Sequence, residues 1–189
     1  LGPTQEKNVR LDTKKQILSA LNINEFSDAQ ATFSKNVVKI LDNNGAEKGC
    51  AVADFDVTGA DKNDVIYQCS VDGATKYVIP MNGNGLWGAI WGYIALDENK
   101  STVYGIYFNH ASETAGLGAE IVKPAFCNQF KNKNIQRDGV LTSIAVVKKG
   151  QAAEGKDYVD GISGGTITSS AVSVMVETSL KKFEGFLTK

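Results

Sequence analysis

The chain has 189 residues, a length that suits one domain whose core needs no disulfide or metal staple. Hydrophobic residues make up 42% and charged residues 22%, as in soluble globular proteins. With 20 basic against 21 acidic side chains the net charge is −1, which gives no electrostatic ground for nucleic acid or for a polybasic membrane footprint.

Taken in chain order, residues 5–21 read as an amphipathic helix, with Val9, Leu11, Ile17, Leu18 and Leu21 at a rough helical period and Pro3 just before it. Residues 24–36 are polar and carry a second short helix. From Val37 the texture turns to strands: Val37–Leu41 is followed by the turn Asp42-Asn43-Asn44-Gly45. Val65–Cys69 and Lys76–Pro80 flank Asp72-Gly73 and suit a hairpin. Ile90–Leu96 and Thr102–Phe108 form another antiparallel pair around Asp97-Glu98-Asn99. A helix is expected over Gly118–Lys131, with Ile121, Val122, Phe126 and Phe130 on one side. Val140–Val147 reads as one strand, and Ser169–Phe183 as a last helix with Val172, Met175, Val176, Leu180 and Phe183 as its apolar stripe. Strands first and helices at the edges make the fold class α+β, a mostly antiparallel sheet with flanking helices, in a single domain.

Cys50, Cys69 and Cys127 have no paired spacing and read as small buried hydrophobes, so neither a disulfide framework nor a cysteine metal site is expected. The basic residues look scattered, densest at Lys131-Asn132-Lys133 and Lys148-Lys149. No stretch approaches the ~20 apolar residues of a membrane span. The chain begins with Leu1 rather than Met, which reads as processing or truncation.

The richest segment for chemistry is Asp160-Gly-Ile-Ser163-Gly164-Gly165-Thr166-Ile-Thr168-Ser169. Adjacent glycines let the backbone turn sharply and approach a ligand, and hydroxyls follow where a helix begins. Free N–H groups and the positive dipole end at a helix N-terminus favour a phosphate. The plainer alternative is ordinary capping, with a Ser or Thr closing the helix after a glycine turn. The segment is neither a Walker loop nor a G-x-G-x-x-G dinucleotide turn.

This segment resembles the flavinylation motif D-G-x-S-G-A-T-x-T-S of the FMN-binding domain family, whose members include flavin-bearing subunits of the sodium-translocating NADH:quinone oxidoreductase and of the related Rnf complex. Asn84-Gly85-Leu86-Trp87-Gly88 with Trp91-Gly92-Tyr93-Ile94-Ala95-Leu96 is similar to the G-x-G-L-W-x…Y-G-F-L-A-L stretch of the quinone-reductase member. His110-Ala-Ser-Glu113-Thr114-Ala-Gly116-Leu117-Gly118-Ala-Glu120 resembles its H-x-E-T-P-G-L-G-x-E element, with one extra residue between His and Glu. The opening Leu1-Gly-Pro3-Thr-Gln5-Glu-Lys-Asn8, then Leu11-Asp12, resembles the stretch after that member's single membrane helix. Gly165 replaces the usual Ala and Ala115 a usual Pro, whereas Asp72-Gly73-Ala74-Thr75 mimics the motif but reads as a hairpin turn.

The resemblance implies a juxtamembrane helix over residues 1–22 and an FMN-binding domain over 23–189. It implies FMN held by a phosphoester to Thr166, with Ser163, Gly164, Gly165, Thr168 and Ser169 around the attachment. Leu86, Trp87 and Leu117 are candidates for packing the flavin ring, with plain core packing as the alternative for Trp87 and Leu117. Glu113 and Thr114 are candidates for hydrogen bonds to the loop or the flavin, and Gly116 is counted among the flavin-binding residues. Asp160 is assigned to positioning the loop or the transferase complex, or to stabilising the turn as an Asx residue, and the lone His110 to structure. The chain would then relay electrons from NADH toward a quinone as one part of a membrane complex, with sodium export coupled elsewhere. A separate flavin transferase would attach the FMN, and a membrane helix ahead of Leu1 would anchor the domain on the periplasmic side of the inner membrane. The alternatives are the Rnf member, with a different electron acceptor, and a non-redox periplasmic binding module in which Thr166 only caps a helix.

Overall fold

The computed structural model describes residues 2–189; Leu1, with which the quoted opening stretch begins, lies outside them. Helix α1 (Pro3–Ala20) starts on Pro3, whose missing N–H costs nothing there, and Gln5 Oε1 accepts the Gly2 N–H at 3.3 Å. Val9 is exposed and only the last turn, Ile17, Leu18, Ala20 and Leu21, is fully buried. Helix α2 (Ala29–Asn36) is capped by Asp28, whose carboxylate accepts the Ala31 N–H at 3.1 Å.

Five strands follow as an antiparallel meander in sequence order: β1 (Val37–Leu41), β2 (Ile66–Val71), β3 (Ala74–Asn84), β4 (Ala89–Asp97) and β5 (Val103–His110). Asp72 and Gly73 both have positive φ (50° and 82°), the twisted turn that fixes the β2–β3 register, so the Asp-Gly-Ala-Thr mimic is a hairpin turn. The sheet is covered on both faces. Tyr67, Cys69, Val78, Tyr93 and Ala95 pack against α1 and Phe33 of α2. The alternate residues Ile66, Ile79, Met81, Ile94 and Leu96 pack against the C-terminal helix. Burial of both faces explains why Ile90–Leu96 is apolar nearly throughout instead of alternating.

Beyond β5 two expectations fail. Residues 118–131 do not form one helix: a 3-10 turn over Gly118–Val122 stops at extended Lys123, then come α3 (Pro124–Cys127) and a second 3-10 turn, Asn128–Phe130. Pro124 is the cause, because its ring bars the helical region to the residue before it. Ile121, Phe126 and Phe130 are buried as expected, but Val122 is exposed. Nor is Val140–Val147 one strand. β6 (Gln136–Arg137) pairs with β7 (Val140–Leu141), Ser143 then turns with φ 61°, and β8 (Ile144–Val147) runs parallel to β9 (Asp157–Asp160). Of the cysteines only Cys69 is a buried hydrophobe; Cys127 is half-buried and Cys50 exposed.

Helix α4 (Thr166–Lys182) begins three residues before the predicted start, and α5 (Glu184–Leu187) ends the fold. The α4 stripe Val172, Met175, Val176 and Leu180 is buried to 1% exposure or less. Each such side chain contributes about 1.5–3 kcal/mol by leaving water. Ser173 Oγ also accepts the Val146 N–H at 3.1 Å, tying α4 to β8. The parallel pair and α4 thereby hold both ends of the loop 161–165.

Candidate functional site

The loop between β9 and α4 is fixed from its entry. Gln129 grips the backbone of Asp160 twice, accepting its N–H at 2.9 Å and donating to its carbonyl at 3.1 Å. Asp160 acts through its backbone here. The Gly161 N–H bonds Val147 O at 2.7 Å, the Ile162 N–H bonds Ser169 Oγ at 2.9 Å, and the Gly165 N–H closes a turn on Ile162 O at 3.0 Å. Gly164 has φ 76°, a conformation that demands glycine; a Cβ there would stand 2.7 Å from Leu117 Cδ2, the tip of an exposed side chain that can move aside. At Gly165 a Cβ would meet Ile162 Cβ at 3.1 Å, so the side chain of alanine fits only if that neighbour gives slightly.

Gly165 is the N-cap of α4, and among the described residues no side chain caps this helix end. The capping alternative is thereby removed: Thr166 is the first helical residue, and the first intrahelical bond is Ser169 N–H to Gly165 O at 2.8 Å. The N–H groups ahead of it belong to the set a helix always leaves without internal partners. Thr166 is exposed, and among the described residues no hydrogen bond engages its hydroxyl or that of exposed Ser163.

Thr168 differs. It is 2% exposed and donates its hydroxyl to Glu113. Glu113, 6% exposed, also accepts the Trp87 N–H at 2.8 Å and the Leu86 N–H at 3.3 Å. One carboxylate thus joins the three stretches singled out in the sequence. Gly85 and Gly118 make room for it, since a Cβ would lie 2.6 Å from Glu113 Oε1 at the first and 2.8 Å from Oε2 at the second. Burial pushes the Glu113 carboxyl up, but the bonds from Thr168 and from the Trp87, Leu86 and Gly88 backbone outweigh it and hold the group below its ordinary value. His110 Nδ1 accepts the Glu113 N–H at 3.1 Å, a structural role.

Thr114 is exposed and contributes through its carbonyl, which accepts the Leu117 and Ala119 N–H groups, both at 3.1 Å. Gly116, at φ 76°, makes the turn between them. Leu86, Trp87 and Leu117 are all exposed, Trp87 by 65%, so core packing is not their role. Ile167, 58% exposed next to Thr166, is a further apolar residue of the site that sequence reasoning misses; its place in a helix start gives no signal of which way it faces. A cavity of about 360 Å³ beside the loop is lined by Lys123, Lys149, Gln129, Asp160 and Ser163 among others. The site therefore offers a free hydroxyl at an uncapped helix start, with bare apolar and aromatic side chains around it. Those residues fit a planar heteroaromatic group carrying a phosphate. Among the described residues no group of three or more His, Cys, Asp or Glu side chains is arranged to hold a metal ion.

The family described as FMN-binding domain matches residues 85–181, from the Gly85 turn through α4. The chain belongs to the FMN-binding domain family. The C subunit of the Na(+)-translocating NADH-quinone reductase of Haemophilus ducreyi is 31% identical over 91% of this chain and 77% of its own length. The C subunit from Pasteurella multocida is 30% identical over 100% of this chain and 84% of its own length. Among solved structures, the C subunit of the Parabacteroides distasonis reductase is 43% identical, with a TM-score of 0.88 over 98% of this chain and 96% of that one. The Shewanella oneidensis NqrC structure, 23% identical with a TM-score of 0.67, shares the fold. The α+β reading thus stands, and apart from Asn84 all three quoted stretches of the site fall within the residues the family matches. No described helix is long and apolar enough to cross a membrane.

Proposed function

We propose that this chain is the electron-carrying subunit of a sodium-translocating NADH:quinone reductase, holding FMN by a phosphoester to Thr166. The observation that carries the reading is the state of Thr166: an exposed hydroxyl, free of other bonds among the described residues, on a helix end without a side-chain cap. Thr168, with the same chemistry two residues on, is buried against Glu113 and cannot offer its oxygen without breaking that contact. When bound, the FMN supplies the electron-transfer chemistry, and the chain's own residues bind and orient it.

Ser163 and the first N–H groups of α4 would face the phosphate, where Gly164 and Gly165 keep the backbone bare. Leu86, Trp87, Leu117 and Ile167 supply exposed apolar surface for the ring. Glu113 acts behind them, holding the Leu86–Trp87 backbone and Thr168 in one arrangement, with Thr114 and Gly116 shaping its loop and Ser169 bonding Ile162. A threonine hydroxyl is a weak nucleophile without activation; on this reading a separate flavin transferase activates it and moves the FMN unit of FAD onto the oxygen, with AMP leaving and taking up the hydroxyl proton. The similarity to relatives named as part of the Na(+)-translocating reductase favours that complex over its Rnf counterpart. The same reading puts the domain on the periplasmic side of the inner membrane, anchored by one N-terminal helix and docked on the other subunits.

The test is the intact mass, under denaturing conditions, of the chain co-expressed with its flavin transferase. A gain of one FMN less one water in the parent and in Thr168→Ala, absent in Thr166→Ala, is expected. No gain in any sample, with the transferase active on a control, would leave the non-redox binding module ahead.

A further inference from the structure

The basic residues that look scattered in sequence converge in one place. A cleft of about 670 Å³ opens between α1 and the start of α2, and Lys7, Arg10, Lys14 and Lys15 line it. Spacings of three and four residues bring Lys7, Arg10 and Lys14 onto one side of α1. Across the cleft run Phe26 to Gln30, in which Asp28 is the one carboxylate. Its Oδ1 accepts the Ala31 N–H as the cap of α2. Four cations against one engaged carboxylate contrast with the −1 net charge of the chain.

Partial burial first, and then the Arg10 guanidinium, push the Lys14 ammonium down. Asp56 pulls it back, yet Asp56 Oδ1 accepts the Thr58 N–H and hydroxyl, and neither Lys14 nor Arg10 forms an ion pair with it among the described residues. Lys14 nonetheless stays in the cleft, donating to Gln30 Oε1 at 2.7 Å and standing 5.2 Å over the Phe33 ring. Like charges one helical turn apart, as at Arg10 and Lys14, destabilise a helix. An anion between them reverses that sign. Leu11 and Phe26, both half-buried, add apolar wall beside the cations.

We propose that the cleft between α1 and α2 binds a phosphate ester, with Lys7, Arg10, Lys14 and Lys15 on the phosphate and Leu11 and Phe26 against its apolar substituent. The phosphate comes either from a soluble ester or from an anionic lipid headgroup. The site is separate from Thr166 and does not depend on the flavin reading.

The test is a titration of the ¹⁵N-labelled 189-residue chain, followed by amide shifts. The probes are inorganic phosphate, dihexanoylphosphatidylglycerol below its micelle concentration, and phosphatidylcholine vesicles with and without phosphatidylglycerol. Saturable shifts confined to residues 7–15 and 26–30 are expected. Affinity should fall about fivefold for each cation removed in Lys7→Gln and Lys14→Gln. The control Lys131→Gln/Lys133→Gln, whose side chains line neither cavity, should bind as the parent does. Shifts with the soluble probes alone assign a soluble ester. Binding only to vesicles containing phosphatidylglycerol assigns a lipid headgroup. No saturable shift with any probe, or an equal loss in the control, overturns the proposal.

Discussion

Two faces of the first turn of α4 carry the same side chain in opposite surroundings. Thr168 continues inward toward Val172 and Met175 and gives its hydroxyl to Glu113. Thr166, roughly 200° around the helix from it, is exposed and, among the described residues, uncommitted. Chemistry alone does not separate the two threonines; the helical turn does. The inner one is a structural bond and the outer one is available to a ligand. Substitution and titration can sharpen that division or break it.

The largest effect concerns the outer face. Thr166→Ala is expected to abolish covalent flavin fluorescence on a denaturing gel while shifting stability by no more than about 0.5 kcal/mol. Full fluorescence in Thr166→Ala and none in Thr168→Ala would invert the division. The next effect belongs to the inner face. Glu113→Ala leaves the Thr168 hydroxyl and the Leu86 and Trp87 N–H groups without their acceptor, and urea unfolding should show a loss of about 1–3 kcal/mol. A midpoint equal to the parent's would remove Glu113 as the joint of the site.

A smaller effect follows from pH. The folded Glu113 carboxyl lies below its ordinary value of 4.5, so its ionised form is the one the fold stabilises. That contribution is complete above 4.5 and is lost as pH falls through the lower folded value. The stability gap between the parent and Glu113→Gln should therefore narrow below pH 4.5, and a gap that widens there would refute the assignment. The smallest effect is on Trp87. Its side chain is 65% exposed, so Trp87→Ala should change stability by less than about 0.5 kcal/mol while raising the mobility of attached flavin, read by fluorescence anisotropy.

Legibility in the sequence tracks how local the determining physics is. The β2–β3 hairpin is readable because Asp72-Gly73 encodes its own turn, and the buried stripe of α4 because 3.6-residue spacing survives in sequence. The stretch 118–131 misleads because its apolar period is helical while Pro124 forbids the helix at Lys123. Val140–Val147 misleads because the turn at Ser143 and the partner β9 leave no mark on alternation. In the site, the glycine turn and the two threonines can be picked out. Which threonine faces outward, and that Glu113 grips backbone 26 and 27 residues away, cannot, since a side chain bonding to distant N–H groups has no period. The cationic cleft escapes sequence reading for a related reason: Lys7, Arg10, Lys14 and Lys15 form a cluster only once the helix is wound and α2 lies against it.

The Glu113 joint also orders events in time. Its partners lie 27 residues before it at Leu86 and 55 after it at Thr168, so the joint is complete only once α4 has docked. A chain emerging from the ribosome can complete β1 to β5 while the 85–88 turn still lacks its final support. On the proposed reading, the acceptor hydroxyl takes up its helical position in that same docking step, so flavin loading would mark molecules that have finished folding. Pulsed hydrogen exchange during refolding should then protect the Leu86 and Trp87 amides in the same phase as the amides of α4; earlier protection of that pair would uncouple the two events.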